Sequence, residues 1–340
     1  MKQIDWKSLG FKYLETNCHI RYEWRDGAWD GGELVDSPYI NLSIAASCLH
    51  YGQAAFEGLK AFRCKDGAVR LFRPEANAAR MGSTARRTCM PEVPQELFLE
   101  ACERVIRANA DFVPPYGTGG SLYVRPLLIG SGAQIGVAPA NAYTFIVMVV
   151  PVGAYYKGGL EPVRALISKD YDRAAPLGVG HVKVAGNYAA SLYAHEEAKR
   201  AGFPVELYLD ARTHTYIEEF ATSNFIAISA KGHYVTPDSH SVLPSVTNNT
   251  LQVIARDLGI EVEVRPVAFD ELPEFTEIGA CGTAVVVTPV WQIVRGEQVI
   301  TVGSESEAGP VLQRLYNQVQ GIQYGEIPDK HGWCRLVEGV

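Results

Sequence analysis

The feature that most limits what this chain can fold into is the apolar run AYTFIVMVVPV at residues 142–152, followed at once by GAYYKGGLEP, where Gly and Pro cluster. Such a run reads as a strand, and the cluster after it as a break in regular structure. The pair predicts a domain boundary near residue 157, with a first domain over 1–156, a linker over 157–166 and a second domain over 167–340. Upstream, AVRLFRP and GGSLYVRPLLIG read as strands, PEANAARMGSTARR as a helix opening on Pro74, and QELFLEACERVIRANADF as an amphipathic helix. Downstream, the strands VELYLDA, NFIAI and AVVVTPVW are separated by turns and by the helix NNTLQVIARDL, which Gly259 stops. Elements of both types alternate without internal repeats, which predicts an α/β chain of two mixed layers with its site between them.

With 340 residues, 47% of them apolar, the chain can bury a sizeable core. No apolar run is long enough to span a bilayer, and the start MKQIDWKSLG lacks the pattern of a secretory signal, so a cytoplasmic location is expected. The cysteines (Cys18, Cys48, Cys64, Cys89, Cys102, Cys281 and Cys334) are scattered, with no Cys-x-x-Cys pair and no metal-ligand spacing. They read as reduced thiols, and no metal is expected. A net charge of −7 without a block of Lys or Arg removes the attraction that nucleic-acid binding relies on, leaving a small molecule as the expected partner.

The chemistry starts at GVGHVKVAGNYAASLYAHEEA, which places Lys183 in a run of Val, Gly and Ala just before a helix. A lysine amine in such a setting is either snorkelling to water or chemically used. Glu218 and Glu219 in YIEEFATSNFIAI precede a strand that should be largely buried, and Thr283 lies in a Gly-containing turn in CGTAVVVTPV. In VLPSVTNNTLQVIARDLG, Thr247 reads as the N-cap of a helix, where unpaired amides and the positive end of the helix dipole suit a phosphate. Taken singly, each is better read plainly: Lys183 as a strand-edge lysine, Glu219 as a solvated charge and Thr247 as an ordinary cap. Together, an amine, a buried carboxylate and a phosphate cradle point to pyridoxal 5'-phosphate, which needs a Schiff-base lysine, an acid facing its ring nitrogen and an anion site.

The order of motifs resembles the branched-chain-amino-acid aminotransferases, fold type IV pyridoxal-phosphate enzymes of the class IV aminotransferase family. The segments that carry the resemblance are HYGQAAFEGLKAFR, LFRPEANAARM, LYVRPLLIG, VPVGAYY, KVAGNY, EEFATSN and CGTAVVVTPVWQI. The resemblance implies two domains, a small α/β one and a larger pseudo-barrel, with the cofactor between them. It implies the reversible transfer of the amino group between L-leucine, L-isoleucine or L-valine and 2-oxoglutarate in two half-reactions. Lys183 would form the Schiff base and move the substrate's proton; Arg80, Val246, Thr247 and Thr283 would hold the phosphate end, Tyr188 the ring oxygen and Glu219 the ring nitrogen, with Thr222 also binding the cofactor. Tyr51, Phe56, Tyr123 and Tyr155 would line an aromatic substrate pocket, Arg125 would hold the distal carboxylate of glutamate, and the Thr283–Ala284 turn would hold the substrate's own carboxylate. The resemblance also implies a homodimer in which Ile135 and Val137, in the loop GSGAQIGVAPA, reach the partner's pocket.

Some positions depart from the pattern. Relatives often carry Gly for Ser245, Arg for Asn248 and Gly for Ala221, and Gly permits backbone conformations that Ser and Ala resist. Mammalian members have a redox Cys-x-x-Cys just after the Thr283–Ala284 turn; here those places hold Val285 and Thr288, so no thiol switch through Cys281 is expected. Two rival readings stand beside the main one. The first is another fold type IV activity, a D-amino-acid transaminase or an aminodeoxychorismate lyase; the second is a non-catalytic carrier of the cofactor.

Overall fold

The computed structural model describes residues 4–6, 8–154 and 159–340, and these divide into two compact units. The first comprises the described residues up to 154 together with Lys183–Gly186 and Gly321–Val340; the second comprises 159–182 and Asn187–Gln320. Residues 321–340 thus gather with the first unit rather than with the 167–340 span expected from the sequence. Pairing explains this, because the strand Cys334–Leu336 extends the first unit's sheet by bonding antiparallel to Val69–Phe72.

The first unit is built on a nine-stranded sheet. Its central pair, Ser121–Gly130 and Tyr143–Val152, runs antiparallel over ten residue pairs, from Ser121 opposite Val152 to Gly130 opposite Tyr143. Strand geometry sends alternate side chains to opposite faces. Leu122, Val124 and Leu128 therefore join Phe145, Val147 and Val149 on one face, where the helices Pro74–Arg87 and Gln95–Ala108 supply Met81, Ala85, Phe98 and Ile106 to a common core. Tyr123, Arg125 and Leu127 point the other way and are less buried. The first helix opens on Pro74, whose missing N–H is no loss at that position. The second stops at Ala108, short of the expected Phe112, because the buried Asn109 side chain turns back to the carbonyls of Val105 and Cys18 while the chain tightens into a 3-10 turn over Ala110–Phe112.

The second unit carries a second nine-stranded sheet, part of which closes on itself. Ile217–Phe220, Val205–Leu209, Val163–Ile167, Val286–Arg295, Phe275–Gly282 and Asn224–Ser229 pair in that order, and Asn224 pairs back with Glu219 to complete the ring. Closure leaves no free edge within the ring and encloses a core that includes Phe220, Phe225, Ile278 and Ile293. The helix Val246–Asp257 packs against Phe275–Gly282, and Gly259, at φ +76°, follows its end in the left-handed conformation that stops a helix. Among the described residues, no helix is long and apolar enough to cross a membrane.

Candidate active site

Lys183 enters the first unit as part of a four-residue strap, Lys183–Gly186, whose backbone is tied down on two sides. Its N–H donates to Thr84 Oγ1 at 3.0 Å, and its carbonyl accepts from the Phe56 N–H at 3.2 Å. The chain next to the amine is therefore fixed by the helix Pro74–Arg87 and the strand Ala54–Phe56, and Nζ lies 4.7 Å from the centroid of the Phe56 ring. The next residue, Glu57, was assigned no role from the sequence. It is fully buried, and Arg80 meets it as a two-pronged fork, Nε to Oε1 at 2.7 Å and Nη2 to Oε2 at 2.8 Å, with Asn77 Nδ2 adding a third bond at 2.8 Å. Burial alone would push the Glu57 carboxyl up, but the charge and hydrogen bonds of Arg80, with the nearby Lys183, hold it below the usual carboxylate range. Arg80, expected at the phosphate, is thus oriented by a buried acid.

Arg125 lies between two rings, its guanidinium carbon 5.0 Å from the Phe56 centroid and 5.2 Å from that of Tyr123, and its Nη2 donates to the Tyr123 hydroxyl at 3.1 Å. Its Nε is buried without a hydrogen-bond partner among the described residues, a donor still to be satisfied. Phe11 meets Tyr123 edge-on at 4.9 Å, and Lys60, opposite Tyr123 in the sheet, has its amine brought down to about 8 by burial. Phe11 carried no usable sequence signal. Gly58 is required here, because a Cβ on it would collide with the Tyr123 hydroxyl.

Tyr51 meets the loop that carries Ile135 and Val137, the two residues expected to serve the partner's pocket. Tyr51 ends the short helix Ser47–Tyr51, and its hydroxyl donates to the Ile135 carbonyl; Ile135 and Val137 are exposed in the loop beyond Gly130. Tyr123 stands seven residues from that end of its strand, about 23 Å at roughly 3.3 Å per residue. Within one chain, then, Tyr51 is bonded to the loop of Ile135 and Val137. Tyr155 lies outside the described residues.

In the second unit, Glu219 owes its position to a break in strand register. Leu207 pairs with Phe220 and Leu209 with Ile217, so Glu218 and Glu219 together face Tyr208 alone, a bulge that re-aims both side chains. Glu219 is buried and held by donors: Oε1 accepts from Arg173 Nη2 at 2.8 Å and from the Leu243 amide at 2.9 Å, and Oε2 from Asn224 Nδ2 at 3.0 Å. Its neighbour Glu218 has one oxygen bonded to Ser239 and the other without a partner among the described residues, and burial pushes its carboxyl up.

The helix expected to begin with a Thr247 cap is capped by Ser245 instead. Ser245 is extended, its Oγ accepts from the Asn248 amide, and Val246 and Thr247 occupy the first helical turn. Asn248 turns inward to Tyr234 and Thr236, which removes it from any anion site. Neither Ser245 nor Ala221 has a positive φ, so the departures from Gly cost no backbone strain. Thr283 and Ala284 form the turn between Gly282 and Val286, with the Val285 amide bonded to the Gly282 carbonyl. Val286 follows at φ +69°, a left-handed conformation that a β-branched residue rarely adopts and that marks functional turns. Thr222 is exposed in the turn after Phe220, and Tyr188 is half-buried on the helix Ala185–Arg200. The described residues include no group of three His, Cys, Asp or Glu side chains able to hold a metal ion.

Residues 54–293 match the family model for amino-transferase class IV, and the chain belongs to that family. It is 49% identical, over 99% of its length and the whole of the relative, to a branched-chain-amino-acid aminotransferase of Haemophilus influenzae. A second relative, a branched-chain-amino-acid aminotransferase of Helicobacter pylori, is 46% identical over 98% of each chain. The structure superposes on the branched-chain amino acid aminotransferase of Escherichia coli with a TM-score of 0.78, at 30% identity, covering 93% of this chain and 99% of the other. Another branched-chain amino acid aminotransferase, solved in complex with N-(5'-phosphopyridoxyl)-L-glutamate, matches at a TM-score of 0.80 and 27% identity over 96% of this chain and all of the other.

Proposed function

We infer that the chain is a branched-chain-amino-acid aminotransferase that uses pyridoxal phosphate to exchange the amino group between L-leucine, L-isoleucine or L-valine and 2-oxoglutarate. The observation that carries the substrate reading is Arg125, a cation with an unsatisfied buried donor set between the faces of Phe56 and Tyr123. One wall then offers ring surface to an aliphatic side chain and a guanidinium to the distal carboxylate of the acid.

The groups present fit the cofactor. Its aldehyde needs an amine, its ring nitrogen an acceptor and its phosphate a set of donors; Lys183, Glu219 and the set of Arg80, Val246, Thr247 and Thr283 are of those kinds, and Thr222 adds a hydroxyl for the cofactor. When bound, the cofactor supplies an electron sink for the pair released at the substrate's Cα. Lys183, freed when the substrate amine takes its place, would accept the Cα proton as base and deliver it as acid to the carbon that carried the cofactor's aldehyde, the reverse transfer serving the keto acid. Glu57 aims the Arg80 fork, and Glu219 keeps a negative charge in a dry setting where the ring nitrogen requires one. Tyr188 serves the ring oxygen, and the amides of the Thr283–Ala284 turn receive the substrate's own carboxylate.

The exposed apolar group of Ile44, Leu49, Tyr51, Ile135 and Val137 supports a homodimer in which this cluster serves the partner's substrate pocket. Seven free cysteines support a cytoplasmic setting. Adding L-leucine without a keto acid to purified holoenzyme tests the reading: the cofactor's absorbance band should bleach, and Lys183→Ala should not turn over. A band that responds to D-alanine and not to L-leucine would replace the substrate assignment.

A further inference from the structure

We propose that Arg173 is a positioning residue that holds Glu219 ionised and oriented toward the cofactor's ring nitrogen; the proposal rests on the role given to Glu219 above. A carboxylate removed from water stays charged only when it is paired, and the Leu243 amide and Asn224 Nδ2, which also donate to Glu219, are neutral. Arg173 supplies the charge at 2.8 Å, with both side chains almost wholly buried. Its Nη2 also meets the carbonyls of Gly180 and Ser241, while its Nε is buried without a hydrogen-bond partner among the described residues.

Gly180 is a second, independent sign that the clamp is built. A Cβ at that position would stand 2.7 Å from Arg173 Nη2 and closer still to the Ser241 carbonyl oxygen, so any side chain there would displace the guanidinium. The other ionisable groups around the pair complete the picture. Glu218 shares the bulge and feels Arg173, Asp210 bears on Glu218, the buried Tyr208 hydroxyl has no partner among the described residues, and Cys281 feels Glu219. Arg173 acts on both carboxyls and forms its ion pair with Glu219, while burial pushes the Glu218 carboxyl up. Of the two adjacent acids in the bulge, the guanidinium forms its ion pair with Glu219.

The test uses holoenzyme carrying Arg173→Met, Arg173→Lys, Gly180→Ala or Glu219→Gln. For each, kcat and KM for L-leucine are measured and the absorbance of the bound cofactor is titrated against pH. Arg173→Met should lower kcat by roughly 10- to 100-fold, the loss typical when the outer partner of a functional ligand is removed, with KM little changed. Its titration midpoint should move in the direction that Glu219→Gln moves it. Arg173→Lys should recover part of both, and Gly180→Ala should follow Arg173→Met, which keeps the test alive if Arg173→Met does not fold. A normal kcat and midpoint in Arg173→Met or Gly180→Ala, beside an impaired Glu219→Gln, overturns the role of Arg173 alone. A normal Glu219→Gln overturns the role of Glu219 and this proposal with it.

Discussion

Replacing Glu57 by Ala removes a fully buried carboxylate and with it two bonds from Arg80 and one from Asn77, at 2.7, 2.8 and 2.8 Å. What remains is the Arg80 guanidinium, largely buried, with that counter-ion gone. Breaking a buried pair on one side costs about 3–5 kcal/mol, more than the cavity left by the lost side chain. At about 2–4 °C per kcal/mol for a unit of this size, the melting temperature of the cofactor-free protein should fall by roughly 6–20 °C. Glu57→Gln, which keeps the shape and one acceptor, should fall less. The pH dependence fixes the cause. The folded-state carboxyl titrates below its ordinary value of 4.5, so its contribution is complete above that value and disappears as pH falls through the lower folded value. The gap between wild type and Glu57→Ala should therefore narrow on acidification below about 4.5. Melting followed by circular dichroism across that range decides it. A Glu57→Ala protein that melts within about 2 °C of wild type at neutral pH would refute the claim that the fork is held by a charged, buried partner.

Arg125→Leu should lower kcat/KM for 2-oxoglutarate by roughly 10- to 150-fold, the value of one charged hydrogen-bond set of about 1.5–3 kcal/mol, while L-leucine is processed at close to the normal rate; equal losses for both would contradict the division of the pocket. Asp210, which accepts from the amides of Thr213, Thr215 and Tyr216, has its carboxyl held down to about 2 by those bonds against the effect of burial. Asp210→Ala should cost roughly 1–2 kcal/mol at neutral pH, a difference seen in urea melts that should fade as pH falls from about 4 toward 2. Peroxide should not reversibly silence the enzyme through Cys281, whose thiol is buried and pushed far up by that burial and by Glu219; recovery of peroxide-lost activity by a reductant, abolished in Cys281→Ser, would sink that expectation.

Much of the site was legible because single residues broke a local pattern. Lys183 stood out as a charge in a run of small apolar residues, and the structure ties that run to Thr84 and Phe56. Glu57 broke its surroundings in the same way, in AAFEGLKAF, and the rule that singled out Lys183 would have found it. The cap was misplaced by two residues because Ser245 and Thr247 are both good cap residues, and only the bond from the Asn248 amide to Ser245 distinguishes them. The burial of Glu219 could not be derived from strand periodicity, since the bulge opposite Tyr208 breaks the alternation that periodicity assumes. Arg173 and Phe11 carried no signal at all. Their partners, Glu219 and Tyr123, lie far along the chain, and only the folded backbone brings them together. The same holds for the bond from the Tyr51 hydroxyl to the Ile135 carbonyl, which joins residues far apart in the chain.

The strap Lys183–Gly186 belongs to the first unit, yet on either side of it the chain belongs to the second. In the gene, therefore, the codon for Lys183 travels with the second unit's segment. A recombination that exchanges residues 159–320 between two relatives would transplant the lysine together with its flanks, while Thr84 and Phe56, which hold its backbone, stay with the recipient. Chimaeras cut at the apparent boundary would pair one parent's amine with the other parent's seat for it. A crossover that respects the physical unit has to move four residues separately.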